Sequence, residues 1–272
     1  MALHILNEFI AHRKFASPLA IWGKLPSHGD FLRHNTTALQ AQCWQDWARD
    51  VWSLRPESQG DPRPRDAKRG NPPWVHLEPR KTRVHLADVP IAFVMQPGAM
   101  PFAPKHCIRG VALPSSDMVG RSCPLVFFQM VTPGWLRRSW SDRRDAKSQS
   151  DMLYWLARIA ARTHASDRDW EALVRTVDAL WLLYEPDLRQ LFGASPPTPS
   201  GLQLDRLVRE YCDADAADVA SGLKGVQHMP WSGWPNQILR SAQPTHAYWQ
   251  QDMRGGYVNV GERLSGLWAR QA

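Results

Sequence analysis

Two stretches of this 272-residue chain hold residues whose types and spacing could do chemistry. In the first, His28, Asp30 and His34 place two imidazoles and a carboxylate near one turn. That is a donor set for a metal ion or an acid/base pair, and it makes a metal-dependent hydrolase the enzymatic alternative. The spacing His-x-Asp-x-x-x-His matches no specific metal pattern, however, and Asp30 is well placed to bond the backbone two residues on, so a structural turn is the stronger reading. In the second stretch, Ser115, Ser116 and Asp117 raise the question of a nucleophilic serine. Such a serine needs an activating base and usually a Gly-x-Ser-x-Gly elbow; Leu113-Pro-Ser-Ser-Asp117 lacks the elbow, so turn-forming hydrogen bonds are expected. Gly23-Lys24 lacks the upstream glycine of a phosphate-binding loop, and a leucine follows the lysine. The expectation is a non-enzymatic protein with no cofactor and no metal.

Binding is the other chemistry to weigh. The formal charge of +7 comes from 33 Lys and Arg against 26 Asp and Glu. The excess is concentrated in residues 61–83 and 136–147, which read as proline-rich or polar connections that do not interleave aromatics in the manner of a stacking platform. Solvated loops are therefore expected, an acidic protein partner is second, and no nucleic acid is expected. The 14 tryptophans divide by context. Trp44, Trp47, Trp170 and Trp181 fall at helical spacing and predict core, whereas Trp231 and Trp234, in a Pro/Gly turn, are candidate contact anchors. Cys43, Cys107, Cys123 and Cys212 form no Cys-x-x-Cys pair, which argues for reduced, mostly buried thiols. The absence of a long apolar run or a signal-peptide pattern predicts a cytoplasmic protein with no direct membrane insertion.

The elements that must position these residues are legible in part. Leu19–Gly23 reads as a buried first strand running into a turn where Pro26 fixes one φ and Gly29 can supply a positive one. A helix follows, capped by Asn35 or Thr36, with Leu39, Cys43, Trp44, Trp47 and Val51 on its apolar face and Gln40, Gln42, Gln45 and Arg49 mostly elsewhere. Leu54–Pro73 reads as an exposed loop. Val89–Met95, Cys107–Leu113 and Leu125–Val131 are strand-like and close in sequence, predicting an antiparallel meander. Two helices follow, capped by Ser150 and Asp167, then a short helical stretch near Leu202–Tyr211 and strands at Thr245–Gln250 and Gly256–Val260. This order predicts an α/β sandwich around a largely antiparallel sheet, with residues 1–134 as the N-terminal α/β region and 135–272 as a helical extension and closing strands of the same domain.

Gly23-Lys-Leu-Pro-Ser-His-Gly-Asp-Phe31 and Gly110-Val-Ala-Leu-Pro-Ser-Ser-Asp-Met-Val-Gly-Arg-Ser-Cys-Pro-Leu125 lie in order, roughly 80 residues apart. Together they resemble the two signatures of the TagF (ImpM) family, accessory proteins of bacterial type VI secretion systems. Pro230-Trp-Ser-Gly-Trp-Pro235, Tyr248-Trp-Gln-Gln-Asp-Met-Arg-Gly-Gly256 and Ser265-Gly-Leu-Trp268 resemble that family's closing segments more weakly. One departure is Cys123, where the family usually has an aromatic residue. The resemblance implies a longin/SRX-like core and a cytoplasmic repressor that acts by binding. Its implied partner is the forkhead-associated-domain scaffold protein Fha, and other inner-membrane assembly components could recruit it there. The alternative within the same system is an assembly or structural subunit. The motif residues Gly23, Lys24, Pro26, Gly29, Asp30, Phe31, Pro114, Ser115, Asp117, Gly120, Arg121 and Pro124 would contact the partner or brace one another. An Arg121–Asp30 or a Lys24–Asp117 pair would provide the brace.

Overall fold

The computed structural model describes residues 14–53, 90–139, 152–164, 169–187, 246–251 and 257–259, with isolated positions between 189 and 207. Seven strands form one sheet: β1 (Ala20–Gly23), β2 (Leu32–His34), β3 (Ile91–Met95), β4 (Cys107–Leu113), β5 (Leu125–Val131), β6 (Ala247–Gln251) and β7 (Tyr257–Asn259). Their spatial order is β2-β1-β5-β4-β3-β6-β7, and each neighbouring pair is antiparallel. The expected meander is β3-β4-β5, with β4 and β5 at the bounds the sequence predicts. The expected strands at 89–95 and 245–250 begin two residues later, and of the expected strand at 256–260 the described part, Tyr257–Asn259, is a strand. Because β6 pairs with β3, the closing strands share a sheet with the first half of the chain.

The central strands β3, β4 and β5 are apolar almost throughout because both of their faces are covered. Alternate residues divide between two cores, as a two-residue period requires. Ile21, Val111 and Phe127 point to the side packed by three helices, α2 (Pro133–Ser139), α3 (Met152–His164) and α4 (Trp170–Tyr184). Trp22, Phe93, Ile108 and Phe128 point to the side packed by α1 (Ala38–Ser53). Trp44 of α1 is fully buried among the rings of Trp47, Phe93, Phe102 and Phe128, with centroids 5.2–6.3 Å away. Gly110 sits opposite Phe93, where a Cβ would collide with the Phe127 carbonyl oxygen and the Phe93 ring. The result is a helix–sheet–helix sandwich, in agreement with the α/β class and the antiparallel sheet that the sequence predicts.

Several local expectations are corrected. The turn does not lead directly into a helix, because β2 intervenes and pairs with β1. Asn35 and Thr36 do not cap α1: the Asn35 side chain donates to the Leu19 carbonyl at 2.9 Å and the Thr36 hydroxyl to that of Ile21 at 2.7 Å. Thr37 is the cap. Its hydroxyl accepts from the Gln40 amide, and Gln40 Oε1 accepts from the Thr37 amide, a reciprocal box that draws Gln40 inward and leaves Leu39 exposed. Asp169 caps α4 by accepting from the Glu171 amide, while the expected caps Ser150 and Asp167 lie outside the described residues. Residues 136–139, read as connection, belong to α2, which buries Trp135 and Leu136 and carries Arg137 and Arg138 in its last turn. Trp181 is buried, and Trp47 and Trp170 are half-buried against the two cores. Segments 54–73 and 61–83 lie outside the described residues, as do most of 136–147 and of 202–211, although Leu202, Gln203, Arg206 and Leu207 are helical. Among the described residues no helix is long and apolar enough to cross a membrane.

Candidate functional site

The two motif-bearing loops meet because of strand order. Loop 24–31 joins β1 to β2, and loop 114–124 joins β4 to β5. Since β1 lies antiparallel beside β5, the end of β1 adjoins the start of β5, and both loops leave the same end of the sheet. Gly23 makes this approach possible. Its φ of 141° lies in glycine's range, and a Cβ there would collide with the Pro124 carbonyl oxygen and the Leu125 Cα. Gly29, expected to supply a positive φ, has none; Gly120 does, at 83°, in the second loop.

Asp117 ties the loops together. Its side chain is shut off from solvent and accepts four hydrogen bonds. Lys24 Nζ donates to Oδ2 at 2.8 Å and Arg121 Nε to the same oxygen at 2.6 Å. The amides of Val119 and Arg121 donate to Oδ1 at 3.1 and 2.8 Å. Burial alone would raise the carboxyl pKa, but the Lys24 ammonium, then the Arg121 amide and guanidinium, outweigh it and hold it well below the usual carboxylate range. Of the two pairings that the sequence allows, Lys24–Asp117 is therefore formed. Arg121 does not pair with Asp30, because it bonds Asp117 and, through Nη2, the Gly29 carbonyl at 3.1 Å. Two further bonds cross the loops: the Ser115 hydroxyl donates to the Lys24 carbonyl at 2.8 Å, and the Met118 amide to the His28 carbonyl at 2.9 Å.

The candidate chemistry takes different forms. The Ser115 hydroxyl is bonded to a carbonyl oxygen, which cannot accept its proton as a base would. His28 bonds Ser27 through Nδ1 at 2.9 Å, whereas His34 Nε2 lies 2.7 Å from Asp178 Oδ1 of α4. Asp30 is exposed. His28, Asp30 and His34 thus form no shared donor set, and among the described residues no group of three His, Cys, Asp or Glu side chains could hold a metal ion. Trp231 and Trp234 lie outside the described residues, as does Cys212. Cys43, Cys107 and Cys123 are buried free thiols, and burial pushes Cys107 and Cys123 up to about 12.

Beside the clamp lies a half-open cleft of about 220 Å³. Phe31 is stacked on Trp22 with centroids 5.3 Å apart, and Lys24 Nζ stands 4.8 Å over the Phe31 ring. Ala48 and Arg49 of α1 and Cys123 of the second loop complete the wall. Pro26 and Pro114 shape the loops, at exposed and half-buried positions, while Pro124 is buried. Sequence reasoning missed Trp22 and Arg49 as site residues. Trp22 reads as core within a strand and Arg49 as helix surface, and the missed strand β2 hid the hairpin register that brings Phe31 to Trp22.

No protein-family model matches this chain, and no curated protein matches it in sequence. Among solved structures, the chain is similar to the crystal structure of PA0076 from Pseudomonas aeruginosa PAO1, with 14% identity over 93% of each chain and a TM-score of 0.46.

Proposed function

We propose that this chain is a TagF-type accessory protein that represses a bacterial type VI secretion system after its components have been made. It acts in the cytoplasm by binding rather than by catalysis, holding the forkhead-associated-domain scaffold protein Fha away from assembly at the inner membrane. The observation that supports this reading is the convergence of the two motif blocks. Motif blocks separated by roughly 80 positions in sequence form one clamp, in which Gly23 packs on Pro124 and Asp117 gathers Lys24 and Arg121. The motif spacing thus acquires a geometric reason. A clamped pair of loops at one end of a sheet also suits recognition, because little ordering remains to be done on binding.

The test is export of the secretion system's tube protein into the medium, from cells lacking the gene and from cells overproducing its product, with co-purification of Fha as the companion readout. More export in the deletion, less on overproduction and Fha in the purified complex are expected. Loss of export in the deletion would recast the protein as an assembly or structural subunit, and no change in either strain would overturn the regulatory reading.

A further inference from the structure

The cleft beside the clamp has the size and charge of an anchor site. Its volume of about 220 Å³ is below the range of about 300–1,000 Å³ in which small-molecule ligands are usually held, and suits one large side chain. Trp22, Phe31, Ala48 and Cys123 give it an apolar wall; Lys24 and Arg49 add two cations, and among the described residues no carboxylate lines it. Asp117 answers both Lys24 and Arg121, so one positive charge beside the cleft lacks a counter-charge within the clamp. The ion pair of Arg49 with Asp46, at 3.3 Å, is exposed on both sides and weak. Phe31 stays 41% exposed at this cleft, and Met118 and Val119 stand 67% and 68% exposed on the turn that Asp117 fixes. A fixed turn that presents apolar side chains next to a clamp with one excess positive charge is suited to a partner that brings apolar and acidic groups together.

Resting on the regulatory reading above, we infer that the cleft receives one phenylalanine- or leucine-sized side chain from an acidic segment of the partner protein, whose flanking carboxylates meet the exposed guanidinium groups of Arg49 and Arg121. Met118 and Val119 widen the contact around that anchor.

Fluorescence polarisation of a labelled pentapeptide, a central phenylalanine between pairs of aspartates, tests this on the full chain. Saturable binding is expected, weaker by about tenfold or more when the centre is alanine or the flanks are asparagine. Arg49→Glu should abolish it, Arg49→Lys should retain it, and Phe31→Ala should weaken it about tenfold. Arg49 is on the exposed face of α1, so its variants keep the test decisive if Phe31→Ala lowers the thermal midpoint. Equal binding of the alanine-centred peptide, or binding unchanged by Arg49→Glu, would overturn the inference. Failed peptide binding with export still responding to gene dosage removes the cleft and leaves the regulatory reading. Variant-sensitive peptide binding with unresponsive export keeps the cleft and removes that reading.

Discussion

Asp117 accepts from two cations and two amides while shut off from solvent, so its charge is tied to the fold. An amide in its place would turn donors toward Lys24 and Arg121 and leave the Lys24 ammonium, only 7% exposed, without its counter-ion. Asp117→Asn should therefore lower the thermal midpoint at neutral pH by several degrees, and adding Lys24→Met should restore part of the loss because no buried charge then needs an answer. The folded carboxyl is held below its unfolded value, so its stabilisation is full above about pH 4 and declines as pH falls toward the depressed value. The gap between wild type and Asp117→Asn, measured by urea unfolding at a series of pH values, should narrow only below about pH 4; a gap that narrows toward alkaline pH would refute this assignment. Cys107 and Cys123, pushed up to about 12 by burial, make a second residue-scale prediction. Iodoacetamide at pH near 8 should leave both unmodified in the folded protein and alkylate both in denaturant, as mapped by mass spectrometry.

At the scale of elements, α1 carries Trp44 into one core and Arg49 to the cleft, so its start sets where both lie. Thr37→Ala removes one half of the capping box and should cost about 1 kcal/mol in urea unfolding, with Thr37→Ser close to wild type. Three consecutive cap-forming residues, Asn35, Thr36 and Thr37, made this start hard to read. The first two spend their side chains on the carbonyls of Leu19 and Ile21, a tertiary demand that the local sequence does not carry. β4 and β5 were legible because each is a seven-residue, mostly apolar run, with Ile108 and Val111 in β4 and Val126, Phe127, Phe128 and Val131 in β5 favouring a strand. β2 was not, since Leu32-Arg-His34 has no periodicity and owes its conformation to β1 and to the stacking of Phe31 on Trp22. The signs of α2 were present, with Thr132 bonding the Trp135 amide and Pro133 in the first turn, but the charge run beginning at Arg137 favoured a polar connection.

Across the whole molecule, the sheet joins segments that the sequence does not show to be neighbours. Lys24 and Asp117 are 93 residues apart, so sequence could offer their pairing only beside Arg121–Asp30; the strand order that puts β1 against β5 decides between them. The same order makes the C-terminal strands part of the core. β3 is buried on both faces and bonded on one side to β4 and on the other to β6, with Tyr248 of β6 buried near Phe93 at 6.4 Å between ring centroids. Deleting residues 246–272 would leave the β3 backbone groups that face β6 unpaired along a wholly apolar edge, the arrangement most prone to joining another chain. The truncated protein is expected to aggregate on size-exclusion chromatography and to lose its cooperative thermal transition. Tyr248→Ala, a milder lesion at the same junction, should cost about 3–5 kcal/mol, the range for truncating a large buried aromatic ring. If β6 were instead a loosely appended strand, the truncated chain would stay monodisperse and melt at the wild-type temperature. That outcome would end the claim that the two ends of the chain stabilise one sheet, because a strand removed from beside β3 without loss cannot be what shields it.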